Sequence, residues 1–237
     1  MKGKNIAIIT ARGGSKRIPR KNIKDFYGKP IIAYSITAAL DSGIFDEVMV
    51  STDDSEIAEI ARNCGANVPF LRSEKTATDT ATTRDVLMEV LNGYEKLGKF
   101  FDRMCCIYPT APFVTSHKII DALELLVHKQ AQQVIPVVKY SYPPQRSQKV
   151  GDQGLLEYRF PECFSIRSQD LEPWYHDAGQ FYCYDVKKYI ACDGMCTENV
   201  PFIVSELEVQ DIDNEEDWKL AEMKYQLMLE KNKNDCN

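Results

Sequence analysis

The sequence contains no run of roughly eighteen apolar residues, the length that a membrane-spanning helix requires. The apolar stretch near the amino terminus ends at Thr10, which is too short for the core of a secretion signal. Eight cysteines are present, but no C-x-x-C pair occurs, and three histidines add little to a possible zinc site. We therefore expect a cytoplasmic, reduced protein with free thiols and no membrane partner.

An excess of positive charge is also lacking, because the net charge is −6. A chain of this charge is not expected to bind nucleic acid or an anionic membrane over a broad surface. One short segment runs against that background, which we call the basic loop (residues 11–22). Its five cations are Arg12, Lys16, Arg17, Arg20 and Lys21. An anionic substrate is therefore expected at this segment.

The order of the predicted elements indicates a Rossmann-like α/β fold. Residues 5–10 form a continuous apolar run, which is typical of a strand buried on both faces of a parallel sheet. Helices and strands then alternate, so we expect a doubly wound, mostly parallel central sheet. The further predicted strands are 47–51, 103–108, 133–138, 179–184 and 201–206, and the predicted helices are 30–42, 54–64, 83–97, 116–129 and 214–231.

From about residue 140 to residue 177 the periodicity weakens and prolines accumulate. We interpret this segment as a small arm inserted into a single domain that spans residues 1–237. Inserted arms of this kind commonly contact a second subunit, so we expect a homodimer.

The position of the basic loop points to its chemistry. Ligands of open α/β sheets bind at the carboxyl ends of the strands, and the loop follows the first predicted strand. Gly13 and Gly14 let the backbone approach a ligand closely, which suits a phosphate chain. The spacing matches neither G-x-G-x-x-G nor the P-loop, which argues against NAD enzymes and ATPases. The residues alone indicate a bound triphosphate, with a merely solvated loop as the alternative interpretation.

Residues 12–23, R-G-G-S-K-R-I-P-R-K-N-I, and G-K-P-I-I at 28–32 resemble the sialic-acid-type CMP-sugar synthetases. The similarity runs from about Ile6 to Asp217. Within that family, I-Y-P-T-A-P-F at 107–113 and the stretch 167–182 are similar to the enzymes that use pseudaminic acid. Neuraminate synthetases usually have Gln where this sequence has Tyr108.

The resemblance implies a cytidylyltransferase that couples CMP from CTP to a nine-carbon 2-keto acidic sugar, with Mg²⁺ as cofactor. Pseudaminic acid is the expected sugar, and N-acetylneuraminate and legionaminate are the alternatives. A non-catalytic sensor that binds sugar nucleotides is the alternative from another class.

The resemblance also implies roles for individual residues. Those implied to bind the nucleotide are Ala11, Arg12, Gly13, Lys21, Asn22, Arg72, Thr82 and Thr83, and those implied to be catalytic are Arg12, Lys21 and Asp211. Those implied to bind the sugar are Tyr108, Lys139, His176, Gln180 and Phe181. Thr82 and Thr83 also suit the cap of the helix that starts there. His176, beside two aromatic residues, also suits a packing role.

Asp211 and Asp213 are the expected metal ligands. Residues two apart in an extended chain point the same way, so both carboxylates can face one ion. Mg²⁺ takes few carboxylates and keeps waters and phosphate oxygens, as a CTP complex needs. Asp213 also suits a capping box that opens the last helix. Asp53 lies at the end of the second predicted strand, where it or Asp54 suits the cap of the next helix.

Overall fold

The computed structural model describes the backbone of residues 3–235 and the side chains of residues 3–231. The strands are β1 (Asn5–Thr10), β2 (Asp25–Phe26), β3 (Lys29–Pro30), β4 (Glu47–Ser51), β5 (Arg103–Ile107), β6 (Gln133–Lys139), β7 (Gln148–Val150), β8 (Leu156–Tyr158), β9 (Tyr175–Asp177), β10 (Phe181–Asp185) and β11 (Asn199–Ile203). The α-helices are α1 (Ile32–Asp41), α2 (Ser55–Asn63), α3 (Thr83–Lys96), α4 (Ser116–Lys129), α5 (Val186–Ala191) and α6 (Glu215–Asp235).

The central sheet has the strand order β11-β6-β10-β5-β1-β4, with β9 paired to β6. The pairs β1–β4, β1–β5 and β6–β11 are parallel, whereas β10 runs antiparallel to both β5 and β6. The fold is therefore α/β with a mixed sheet whose core is mostly parallel, as the sequence predicts. The reversal of β10 follows from the chain path, because β6 ends at the carboxyl edge and the chain re-enters from that same edge.

Helices cover both faces of the sheet. Apolar residues of α1, α2 and α4 pack on one face, and those of α3 and α5 pack on the other. The side chains of Ile6, Ile8 and Ile9 in β1 are fully buried, which explains the continuous apolar run of that strand. The last helix, α6, packs through Trp218 and Ala221 against the segment that follows the basic loop. Among residues 3–235, no helix combines the length and the apolar content that crossing a membrane would require.

The helix caps resolve alternatives that the sequence leaves open. The Asp54 side chain accepts hydrogen bonds from the amides of Glu56 and Ile57, so Asp54 rather than Asp53 caps α2. Thr82 caps α3 in a capping box with Asp85. Asn214, not Asp213, caps α6, because its side chain accepts from the amides of residues 216 and 217. The expected cap role of Asp213 is therefore wrong, and its carboxylate is left for other contacts.

The segment between β6 and β10 divides into two parts. Residues 140–174 contain the short hairpin β7–β8, which forms a separate two-stranded sheet. Strand β9 returns to the sheet and pairs with β6, with His176 opposite Val138. A three-residue strand gives too little alternation to be detected in a sequence. The same reason applies to α5, which has six residues and no long apolar pattern.

Candidate active site

A cavity of about 540 Å³ opens at the carboxyl ends of β1 and β5. Its walls come from the basic loop, the segment before α3, the first turns of α3, the residues after β5, and Asp211. Seven residues assigned from the sequence line this cavity together: Arg12, Lys21, Asn22, Arg72, Thr83, Tyr108 and Asp211. These side chains therefore meet at the carboxyl edge of the sheet, which is the edge that the sequence predicts.

Two acidic residues pair with four of the five cations of the basic loop. Asp79 forms ion pairs with both Arg12 and Lys16, and hydrogen bonds from Lys16 and then from Arg12 lower its pKa to about 2. Asp213 accepts an ion pair from Arg17 at 2.6 Å and lies 4.0 Å from the Lys21 ammonium. The cavity wall thus presents four cations whose counter-charges are the carboxylates of Asp79 and Asp213.

The fifth cation of the loop, Arg20, points elsewhere. Its guanidinium pairs with Asp54 and Glu56 at the start of α2, and these contacts raise the pKa of Arg20. Arg20 also adopts the left-handed backbone conformation, with φ of 56°. It therefore anchors the loop to α2, and only four of the five cations face the cavity. Sequence spacing alone cannot separate these two roles.

Lys21 joins the basic loop to the chain around Asp211. Its ammonium donates to the carbonyl oxygen of Ile212 at 2.6 Å. Burial lowers the pKa of Lys21, and the charges of Asp213 and Asp211 oppose that shift. Lys21 thus lines the cavity beside the two carboxylates expected to hold a metal.

Contacts with neighbouring residues fix the position of Gly13 in the basic loop. The Gly13 amide donates to Asp53 Oδ1 at 2.9 Å, a contact that the sequence position of Asp53 does not indicate. A Cβ added to Gly13 would lie 2.8 Å from Asp54 Oδ2 and 2.9 Å from Asp54 Cβ. The Ala11 amide donates to Ser51 at 2.9 Å. Both amides are therefore already engaged within the protein.

Arg72 and Asn22 are buried polar residues at the cavity. Arg72 donates to the hydroxyl and the carbonyl oxygen of Ser51 at 3.1 and 2.9 Å. Burial lowers its pKa, and the charges of Asp53 and Glu89 act in the opposite direction. Asn22 donates to the carbonyl oxygen of Arg12 at 2.8 Å, which holds the loop in its curved path.

Thr82 and Thr83 have different surroundings. Thr82 lies outside the cavity lining, and its hydroxyl and amide are engaged in the capping box with Asp85. Thr83 lines the cavity, and its hydroxyl is 3.3 Å from the hydroxyl of Tyr108. Burial raises the pKa of Tyr108. The pair of threonines was ambiguous in the sequence, and the structure brings only Thr83 to the cavity.

Asp211 offers its carboxylate to the cavity, where no hydrogen bond or ion pair to its side chain occurs among the described residues. It stays accessible, yet the walls remove enough water to raise its pKa, and the charge of Asp213 raises it further. No cluster of three or more carboxylate, histidine or cysteine side chains suited to a metal occurs among the described residues. One or two carboxylates beside a phosphate site nevertheless fit Mg²⁺, which takes its other ligands from phosphate and water.

The residues expected to bind the sugar divide into two groups. Lys139 and His176 lie near the ends of the paired strands β6 and β9, where the His176 ring meets Tyr140 with centroids 4.9 Å apart. The Gln180 side chain is buried and donates to the carbonyl oxygen of Glu208 at 2.6 Å. The Phe181 ring is fully buried in the core against Phe202, so it has no face to offer a sugar.

The chain is similar to proteins of a known family. A family model described as cytidylyltransferase matches residues 6–152. The chain is 39% identical over 226 residues to the pseudaminic acid cytidylyltransferase of Campylobacter jejuni, which covers 94% of this chain and 97% of that protein. It is 37% identical over 234 residues to the CMP-N,N'-diacetyllegionaminic acid synthase of Legionella pneumophila, which covers 95% of this chain and 97% of that protein.

A solved structure gives the likeness in fold. The chain resembles a CMP:2-keto-3-deoxy-manno-octonic acid synthetase complexed with CTP, with a TM-score of 0.69 over 96% of this chain and 99% of that one. The identity is 17%, so this likeness concerns the fold alone.

Proposed function

Because the chain belongs to the cytidylyltransferase family, we propose that it transfers CMP from CTP to the anomeric hydroxyl of pseudaminic acid. The observation that carries the proposal is one cavity lined by four loop cations, the buried Arg72 and the accessible carboxylate of Asp211. In the reaction, the anomeric oxygen forms a bond to the α-phosphorus as the bond to the bridging oxygen of pyrophosphate breaks. The hydroxyl proton leaves with solvent or a base, and pyrophosphate carries away the released charge.

The basic loop is proposed to bind the triphosphate. Arg12 and Lys21 are the catalytic cations, because their charge stabilises the pyrophosphate as negative charge builds on it. A phosphate group that approaches Arg12 and Lys16 competes with Asp79 for the same donors. Positioning and charge stabilisation are the main contributions that such a site makes to nucleotidyl transfer.

A divalent cation, Mg²⁺, is proposed as the cofactor. Asp211 is the first ligand, and Asp213 is the second once its contact with Arg17 is exchanged. When bound, the ion supplies charge neutralisation at the phosphates. The chain's own part is to keep Asp211 accessible beside Lys21, whose ammonium is held by Ile212.

Tyr108 is the proposed contact that distinguishes the sugars, since it lines the cavity at the end of β5 next to the basic loop. Lys139 and His176 are proposed to lie along the path of the sugar, with Lys139 available to its carboxylate. Gln180 is proposed to support the backbone there, because its carbonyl oxygen accepts from the Tyr108 amide at 2.8 Å.

The test is pyrophosphate release from CTP and Mg²⁺ with pseudaminic, legionaminic and N-acetylneuraminic acids in parallel. Turnover is expected to be highest with pseudaminic acid. Faster turnover of either other sugar would overturn the choice of sugar while keeping the reaction. Tight CTP binding without pyrophosphate release from any acidic sugar would instead support the sensor.

A homodimer formed through the arm is also proposed, with the arm inserted into a single nucleotidyltransferase domain. The arm exposes large apolar side chains that a monomer would leave in water; among them, Tyr142 is 88% exposed, and the others are Val150, Leu155, Leu156 and Phe164. Sedimentation equilibrium should give a dimer for the wild type and a monomer for Leu155→Asp/Leu156→Asp. Leu97→Asp, at a similarly exposed site outside the arm, is the control and should leave the mass unchanged.

A further inference from the structure

The segment that leads from Arg72 to α3 forms part of the wall of the active-site cavity. It contributes Arg72, Asp79 and Ala81 to the lining, and Thr83 follows at the start of α3. Residues 72–81 contain no α-helix and no β-strand, so contacts with other elements have to fix their path. The position of Arg72 therefore depends on what holds the residues next to it.

The backbone around Arg72 is held by two different elements. The Arg72 amide donates to the carbonyl oxygen of Thr52, directly after β4, at 2.8 Å. The next amide, that of Ser73, donates to Oε1 of Glu89 in α3, also at 2.8 Å. Because peptide units are planar, these two bonds fix the planes on both sides of the Arg72 Cα. They thereby set the direction in which the Arg72 side chain leaves the backbone.

Glu89 makes two further hydrogen bonds to the same segment. Its Oε2 accepts from the hydroxyl of Ser73 and from that of the buried Thr76, the latter at 2.8 Å. The Ser73 carbonyl oxygen in turn accepts from the amides of Thr76 and Ala77, each at 3.1 Å. One carboxylate therefore accepts three hydrogen bonds and ties the turn at residues 73–77 to α3.

Glu89 itself does not line the active-site cavity. It is half-buried and lines a different cavity, of about 820 Å³, which shares no lining residue with the first. Any effect of Glu89 on a bound nucleotide therefore passes through the turn to Arg72. The second cavity also gives water access to the place of the carboxylate, so we expect variants at Glu89 to fold.

Resting on the proposed function, we infer that Glu89 is a positioning residue that directs Arg72 toward CTP through the hydrogen-bonded turn 73–77. Without the carboxylate, Arg72 keeps its own bonds to Ser51, but the backbone that carries it gains freedom. Ordering that backbone again when CTP binds costs affinity. The loss concerns the nucleotide and spares the sugar, whose proposed contacts lie on other elements.

The test compares Glu89→Ala with Glu89→Gln and with Glu95→Ala, a change at an exposed glutamate of the same helix. Glu89→Ala should raise both KM for CTP and the Kd for CTP, measured by calorimetry with Mg²⁺, about threefold to tenfold. Its KM for the sugar should stay within about twofold of the wild type. Glu89→Gln should largely restore CTP affinity, because its amide oxygen can accept from Ser73 and its NH₂ group can donate to the two hydroxyls. Glu95→Ala should match the wild type.

A folded Glu89→Ala with wild-type affinity for CTP would overturn the inference, and so would equal losses in Glu89→Ala and Glu89→Gln. If Glu89→Ala fails to fold, Thr76→Val removes one of the three bonds at nearly constant shape, and unchanged CTP affinity in that variant would overturn the inference.

Calorimetry separates this inference from the proposed function. A wild type that binds CTP but releases no pyrophosphate with any acidic sugar would overturn the proposed function alone, because the Kd of the variants still decides the role of Glu89. A wild type that does not bind CTP would overturn both.

Discussion

Gly13→Ala is the most direct test of how the basic loop is held. The new Cβ would lie 2.9 Å from Asp54 Cβ and 2.8 Å from Asp54 Oδ2, well inside ordinary contact. Overpacking of this kind costs about 1–3 kcal/mol when the structure has to shift. If Asp54 moves, the cap of α2 is weakened by about 1 kcal/mol. If the loop moves instead, the bond from the Gly13 amide to Asp53 is lost at a similar cost.

We therefore expect Gly13→Ala to cost about 2 kcal/mol. The cost lowers the free energy of unfolding if the folded protein stays strained. If the cost appears entirely in catalysis instead, kcat/KM for CTP falls about thirtyfold. Urea denaturation and initial rates at low CTP measure the two effects separately.

Gly14→Ala is the matched control at the next position. The nearest heavy atom to its added Cβ is Arg12 Nη1 at 3.9 Å, and Gly14 does not adopt the left-handed backbone conformation. Its free energy of unfolding should stay within about 0.5 kcal/mol of the wild type or rise, because alanine restricts the unfolded chain. Equal losses in both variants would refute the steric argument.

Three further predictions concern the charges of the cavity. Asp79→Asn should lower KM for CTP by about threefold, since the triphosphate no longer competes with a carboxylate for Arg12 and Lys16, and a raised KM in steady-state kinetics would contradict this. Lys21→Met should reduce kcat/KM by about a hundredfold. Arg20→Met, in contrast, should lower the melting temperature and leave KM for CTP near its wild-type value. Equal kinetic losses in the two variants would show that Arg20 also contacts the substrate. Asp211→Asn should abolish the Mg²⁺ dependence of turnover while metal-free CTP binding, measured by calorimetry, persists; retained Mg²⁺-dependent activity would remove Asp211 from the metal site.

The sequence was sufficient for the elements whose patterns are long. The apolar run of β1 and the amphipathic pattern of α4 gave the same bounds as the structure, residues 5–10 and 116–129. These patterns are imposed by burial on two faces and on one face, so the local sequence carries them. The carboxyl edge of the sheet also followed from the sequence, because the basic loop comes directly after β1.

Roles decided by contacts between distant segments were not predictable. Arg20 and Arg17 lie three residues apart, yet Arg20 turns to α2 and Arg17 to Asp213. Asp53 and Asp54 are adjacent and both suit a cap, but one binds the Gly13 amide and the other the amides of α2. The resemblance places Phe181 at the sugar, whereas β10 is buried on both faces and its alternation directs the Phe181 ring to the face covered by α1, α2 and α4. In each case the deciding partner is more than thirty positions away or depends on strand orientation.

The reversed strand β10 has a consequence for the active site that a fully parallel sheet would lack. In a parallel sheet, the residues at the start of a strand lie at the edge away from the ligand. Because β10 is antiparallel to β5, with Phe181 opposite Ile107, its first residues lie beside Tyr108 at the ligand edge. Tyr182 can then meet Tyr108 directly, and Asp177 reaches Tyr182 because β9 enters from the same edge. The antiparallel strands β9 and β10 therefore bring side chains to the ligand edge from the opposite strand direction: the carboxyl ends of β1 and β5 supply the cations and Tyr108, and the amino end of β10 supplies Tyr182, whose ring packs against Tyr108.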